Sequence, residues 1–187
     1  TKREDIISFF THDLGYSMVD LSERPGVAEL TGVLIIDHKL GIGYCGLTNR
    51  ADEQGCANMH EAFGLRMTFM FDLMDEEYHT NIVMSCLGGK GIVFYPPGLK
   101  DKNAAGAIVE AYGDSAAILS DEEKKHFLGN CLTITPNDVM ISSTAFHSMQ
   151  PSTRAVIEGQ GFNIHWADVD ELEKGGGSLR CLIAEVF

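Results

Sequence analysis

The order strand, strand, helix, strand returns three times in this sequence, and that rhythm is the strongest constraint on its fold. Pro25-Gly26 signals a turn before an apolar run from Val27 to Ile36, which a hairpin through Asp37-His38-Lys39 joins to a run from Leu40 to Leu47. Asp52 to Phe63 has a helical pattern, with Asp52 as N-cap and Gly64 as stop, and Arg66 to Leu73 returns as a strand. Asn81 to Leu87 and Gly91 to Tyr95 repeat the strand pair across Gly88-Gly89-Lys90. A helix near Ala104 to Tyr112 and a strand at Ala116 to Leu119 follow. A short helix, Asp121 to Phe127, begins at Ser120 with Glu123 three residues on, the spacing of a capping box. Cys131 to Thr135 and Val139 to Ser142 then pair across Pro136-Asn137-Asp138, Thr144 to Glu158 is helical in pattern despite Pro151, and Phe162 to Trp166 is a strand. No close residue repeat accompanies the rhythm, which argues against propellers and solenoids of strong consensus. Ahead of the first unit, Glu4 to His12 reads as the end of a helix and Tyr16 to Leu21 as a strand, so the chain is expected to enter mid-unit.

The C-terminal segment, Glu173-Lys174-Gly175-Gly176-Gly177-Ser178-Leu179-Arg180-Cys181, is where chemistry is expected. Three successive glycines permit positive φ and remove side chains, so the turn before Cys181 can approach a small ligand closely. Leu182, Ile183, Val186 and Phe187 have the apolar, β-branched character of a short buried strand, which would hold the thiol rigidly at a strand mouth.

Composition narrows the function. Fourteen basic against 27 acidic side chains, a formal charge of −13, would repel a phosphate backbone and make nucleic acid a poor partner. No run of 18 apolar residues is present, so no membrane span is expected. The five cysteines are odd in number and include no CxxC pair, which reads as reduced thiols in a cytoplasmic protein without a metal site. No serine sits in a G-x-S-x-G elbow.

Four segments carry a family resemblance. The glycine-rich turn before Cys181 resembles the C-terminal signature of the guanidino-group-modifying enzymes, the pentein superfamily of arginine deiminases, dimethylarginine hydrolases and glycine amidinotransferases. Cys45-Gly46-Leu47-Thr48-Asn49-Arg50-Ala51-Asp52 resembles the G-L-S-K-R-T-N segment of dimethylarginine hydrolases. Tyr78-His79-Thr80-Asn81-Ile82-Val83-Met84 looks like the H-T-N-V-M-M segment of the amidinotransferase-like citrulline hydrolases. Phe127-Leu128-Gly129-Asn130-Cys131 is similar to a stretch of the F-A-G-N-M kind, where Asn130 reads as satisfying backbone groups beside a channel.

The resemblance implies an α/β fold of pentein type: ββαβ units around a pseudo-fivefold axis, about three of them complete here, with the site in the central channel. Residues 1–187 would form a single catalytic domain, the C-terminal portion of a typical member, lacking its first one to two units. It implies the family order acid, histidine, cysteine, which Glu29, His79 and Cys181 supply; the second acid of the family's E-x-x-D pattern is replaced by Gly32. Cys181 would attack the central carbon, His79 would move protons, and Glu29 would orient the imidazole. Arg50 would hold an α-carboxylate through two parallel hydrogen bonds. At Asn81, deiminases and amidinotransferases usually carry an aspartate that grips a guanidinium; a neutral amide suits a ureido group better. The expected substrate is therefore a small ureido or guanidino amino acid, citrulline first, cleaved to ornithine, carbon dioxide and ammonia. Arginine deimination, amidino transfer and a non-catalytic binding module are the alternatives. No cofactor, metal, nucleic acid or membrane is expected; homo-oligomerisation is left open.

Overall fold

The computed structural model describes residues 3–30 and 32–186. Among these, the strands form three separate three-stranded sheets that repeat one plan. In the first, β1 (Leu34–Asp37) pairs antiparallel with β2 (Ile42–Leu47), and β2 pairs parallel with β3 (Met67–Asp72) after the crossover helix α2 (Glu53–Ala62). Helix α1 (Glu4–Ser8) precedes it, continued by a π-helical turn at Phe9–Asp13. The second sheet joins β4 (Met84–Leu87), β5 (Gly91–Phe94) and β6 (Ala116–Ile118) in the same senses, with α4 (Lys102–Tyr112) as its crossover and a one-turn helix α3 (Thr80–Val83) leading in. The third joins β7 (Leu132–Thr135), β8 (Asp138–Ser142) and β9 (Asn163–Ala167), entered through α5 (Asp121–Lys125) and crossed by α6 (Ser143–Ser148) and α7 (Pro151–Gly159). A short helix α8 (Asp170–Glu173) leads to the C-terminal loop.

Local chemistry accounts for the boundaries. The Asp52 carboxylate caps α2, accepting from Gly55 N at 2.7 Å and also from Val27 N at 3.0 Å. Ser120 and Glu123 form a complete capping box at α5, and Glu123 is buried there. Gly64, just past α2, has φ +59°, and Phe127, just past α5, has φ +61°. Leu128 N donates to Glu123 O across that left-handed residue, closing the helix in the manner usually reserved for glycine.

The sheets are joined by shared cores. Ile35, Tyr44 and Phe71 of the first unit pack with Met84, Ile92, Phe94 and Ile108 of the second. Leu87, Val93 and Ala117 of the second pack with Val139, Ile141 and Ile157 of the third. The first strands β1, β4 and β7 lie next to one another, β1 beside β4 and β4 beside β7. Among the described residues, no helix is long and apolar enough to cross a membrane.

Five expectations need correction. Leu182, Ile183 and Val186 form no buried strand: Leu179–Leu182 is a one-turn 3-10 helix, and the residues beyond it are exposed because no sheet edge offers them a ladder; Phe187 lies outside the described residues. Tyr16 to Leu21 is irregular and largely exposed, for the same reason. The strand expected over Val27 to Ile36 begins only at Leu34; upstream, Ala28 makes a single bridge to Ala51. Asn81 to Val83 is the body of α3, not strand. Pro151 divides Thr144 to Glu158 into α6 and α7, and takes the first helical position of α7, where no amide donor is required.

Candidate active site

Glu29 and Arg50 meet because their backbones do. Glu29 N donates to Arg50 O at 2.9 Å and Asp52 N donates to Val27 O at 3.1 Å, so the irregular segment before β1 runs beside the one after β2. Arg50 Nη1 then donates to Glu29 Oε2 at 2.6 Å. The hydrogen bond from Arg50 is the main reason that the Glu29 carboxyl is held below the usual carboxylate range. Both side chains are nearly half exposed, 44% and 45%, so water weakens the pair's worth to stability.

His79 is the extended residue that enters α3, and α3 is locked in place by Thr80. The buried Thr80 hydroxyl donates to Val33 O at 2.6 Å and accepts from Gly46 N at 2.8 Å, while Asn81 N donates to Gly32 O at 3.0 Å. The imidazole, only 12% exposed, has Nε2 3.1 Å from Glu29 Oε1. That is an ion-pair distance, but the N–H direction is off line and Nε2 lacks a well-formed hydrogen bond. Burial pushes the His79 pKa below that of a free imidazole; Glu29 opposes the shift and Arg50 adds to it. The face of the ring at Nδ1 lies on Gly32, where a Cβ would stand 2.2 Å from Nδ1 and 2.6 Å from Cγ and Cε1. The position that departs from the family's second acid is thus occupied by a residue whose lack of a side chain admits the histidine.

Cys181 arrives from the glycine loop. Gly176 and Gly177 take φ +86° and +90°, the left-handed region that the sequence pattern anticipates. A Cβ on Gly177 would lie 3.1 Å from Cys181 Sγ and 3.6 Å from the Tyr78 hydroxyl, so thiol and phenol border the same bare backbone. Upstream, the loop is pinned by Glu173, which accepts from Ser178 Oγ at 2.6 Å and Thr144 Oγ1 at 2.7 Å. Two buried amides reach the sulfur: Asn81 Nδ2 at 3.4 Å and Asn130 Nδ2 at 3.3 Å. Asn81 Oδ1 is buried beside it and has no hydrogen-bond partner among the described residues.

The structure therefore gathers the expected residues into two adjoining groups, Glu29–His79–Arg50 and Cys181–Asn81. No hydrogen bond joins His79 to Cys181 among the described residues. Tyr78 stands between the groups: its ring lies 4.8 Å from that of His79, Arg50 sits 5.9 Å over it, and burial foremost, then Cys181, raises its pKa. A cavity of about 630 Å³ opens on the Arg50 and Tyr78 side, lined also by Thr48, Asp72, Glu77 and Lys100; the thiol is not among its walls. Asn130 satisfies two backbone groups, as its sequence context suggests, but its contact with sulfur is a finding of the structure. The sequence reading gives Tyr78 and Glu173 no role of their own; their positions, next to His79 and at the head of the glycine loop, are the signal that points to them.

Residues 1–187 match the family described as N,N dimethylarginine dimethylhydrolase, eukaryotic. No curated protein sequence matches the chain. Among solved structures, the chain is similar to the N-terminal domain of ArgZ bound to substrate, an arginine dihydrolase from the ornithine-ammonia cycle in cyanobacteria. The identity is 16% and the TM-score 0.79, over 96% of this chain and 64% of that one. It resembles a binary complex of mutant AgrE with L-arginine at 16% identity and TM-score 0.79, over 96% of this chain and 26% of that one. A third likeness is to DDAH from Pseudomonas aeruginosa complexed with citrulline, at 18% identity and TM-score 0.60, over 83% of this chain and 55% of that one. At these identities the likeness shows the fold, a mixed α/β arrangement of small sheets and helices.

Proposed function

The chain belongs to the N,N dimethylarginine dimethylhydrolase family of guanidino-modifying enzymes, and on that premise we propose that it is a cysteine hydrolase of ureido or guanidino amino acids, with citrulline as substrate. Residues 1–187 form its catalytic domain in this reading, and the ββαβ units belong to a pentein ring about a pseudo-fivefold axis. The adjacency of β1, β4 and β7 along one side supports that geometry. Five unpaired cysteines support a reducing, cytoplasmic setting.

The reacting carbon lies between Cys181 and His79, which accounts for the lack of a direct bond between them without substrate. Burial lowers the His79 pKa and so favours the neutral imidazole, and in this reading the proton it carries is the one the sulfur gives up. The sulfur attacks the ureido carbon, and that proton passes through His79 to the departing nitrogen, releasing ornithine and leaving a carbamoyl group on Cys181. His79 then takes a proton from water as hydroxide adds to the carbamoyl carbon. The carbon–sulfur bond breaks, the thiol regains the proton, and the carbamate released falls to carbon dioxide and ammonia. Glu29 orients the imidazole and steadies its charged form; Arg50 receives the α-carboxylate at the cavity side.

One observation carries the choice of substrate: the groups on the sulfur are amides, and Asn81 offers an uncharged, unpartnered acceptor there. A carboxylate at that place would pair a guanidinium; an amide pairs the N–H of a neutral ureido group. The second reading, hydrolysis of a methylated or free arginine, is favoured by the family description and by the acidic residues Asp72, Asp75 and Glu77 of the cavity, which suit a cation. Comparing kcat/KM for citrulline, arginine and dimethylarginine separates the two. Asn81→Asp shifts preference toward the cationic substrates by about 1–3 kcal/mol of transition-state discrimination, and Cys181→Ser abolishes turnover of all three. A wild-type preference for arginine or dimethylarginine would refute the citrulline reading.

A further inference from the structure

We propose that Asn130 is a positioning residue for the nucleophile, holding the Cys181 sulfur in register with Asn81 through a single buried amide; the kinetic part of the test rests on the hydrolase reading above. Cys181 needs such a hold. It sits on a one-turn helix after three glycines, outside every sheet, and the chain beyond it is exposed. A reacting group on a segment of that kind is imprecise unless its neighbours fix it.

Asn130 is 1% exposed and uses both ends of its side chain. Its Oδ1 accepts from Arg180 N, the peptide just before the cysteine, at 3.0 Å. Its Nδ2 donates to Asn81 O at 2.8 Å and to Cys181 Sγ at 3.3 Å. The chemistry of the partners sets the amide's orientation, since a peptide N–H can only donate and a carbonyl can only accept. Asn130 is itself held: its N–H donates to Phe127 O at 2.8 Å, on the left-handed turn that ends α5. One residue at the mouth of β7 thus ties α3, which carries Asn81, to the loop that carries the thiol. The two amide donors on one sulfur favour charge on it both when it attacks and when it leaves.

Asn130→Asp is the informative change. It keeps the size and the acceptor for Arg180 N but removes the donor and turns a carboxylate oxygen toward the sulfur. The rate of iodoacetamide alkylation of Cys181, with Cys181→Ser as the blank for other thiols, should fall about tenfold at fixed pH, because like charge opposes the thiolate. In turnover, kcat should fall about 100-fold with KM changed by less than about threefold, the pattern of a misplaced reacting atom. A role confined to the Arg180 tether predicts otherwise, since that acceptor survives while the bonds to Asn81 O and the sulfur are lost: alkylation and kcat within about twofold of wild type would overturn the proposal. Thermal unfolding establishes that the variant is folded; if it is not, Asn130→Ala is read by the same alkylation, where a loss of about tenfold upholds the proposal and a rate within about twofold overturns it. Alkylation needs no substrate, so an enzyme inactive on citrulline would sink the substrate reading and leave this inference to its own result.

Discussion

Gly32→Ala should disable the site by moving one ring. The new Cβ would lie 2.2 Å from His79 Nδ1 and 2.6 Å from its Cγ and Cε1. The strand side cannot back away freely, because Gly32 O accepts from Asn81 N at 3.0 Å and Thr80 ties the same turn to Val33 O. The imidazole must therefore retreat by about 1 Å, off its contact with Glu29 and against Tyr78. Overpacking of this kind costs about 1–3 kcal/mol, and a domain of this size loses about 2–4 °C in Tm for each. A displacement of about 1 Å in a proton-transfer group costs about 100-fold in rate. Steady-state kinetics on citrulline and a thermal melt measure both effects. Activity within about threefold of wild type with an unchanged Tm would show that the pocket yields, and the argument from Gly32 would fail.

Two further outcomes follow from the same geometry. His79 titrates below a free imidazole chiefly through burial, so at pH below about 6.5 the unfolded chain binds this proton more readily than the folded one. The contribution is intact above that pH and is lost as acid brings the folded group to titrate; His79→Gln should therefore lose less stability than wild type between about pH 7.5 and about pH 5.5 in urea unfolding, and equal losses would break the assignment. Glu173→Ala leaves Ser178 and Thr144 without their acceptor; limited proteolysis at the glycine loop should quicken, with about 1–2 kcal/mol lost in global stability, and an unchanged cleavage rate would deny Glu173 its role as anchor.

The parts of the fold that were legible in the sequence are those whose cause is local. Asp52 and the Ser120/Glu123 pair announce helix starts because a side chain meets backbone amides within three residues. The three-unit rhythm is legible because apolar runs and turn residues alternate. Glu29, His79, Arg50 and Cys181 could be selected from motif surroundings, and the structure brings them to one region. What could not be read is whether a β-branched run finds a partner. Thr80-Asn81-Ile82-Val83 has strand composition but curls into a helix turn, because Thr80 spends its hydroxyl on Val33 and Gly46. Leu182 and Ile183 have the same character and stay outside every sheet. Propensity describes a residue's fit to a pleated surface, and only the tertiary arrangement supplies that surface. The donors on the sulfur were hidden for a related reason: Asn81 and Asn130 are far apart in sequence, and they converge only once the second and third units are packed together.

In β5, Ile92 and Phe94 face the core shared with the first unit, while Val93 between them faces the core shared with the third. That alternation makes the middle unit a keystone. Either outer unit can peel away by exposing one boundary, but the middle unit cannot open without uncovering both. The histidine and both sulfur-facing amides sit at the entrances to that unit and the next, within reach of the keystone, whereas Glu29 and Cys181 hang from segments that carry little of the shared core. The molecule thus keeps His79, the proton carrier proposed above, on its most persistent masonry, and Cys181, the proposed nucleophile, on a segment that adds little to it.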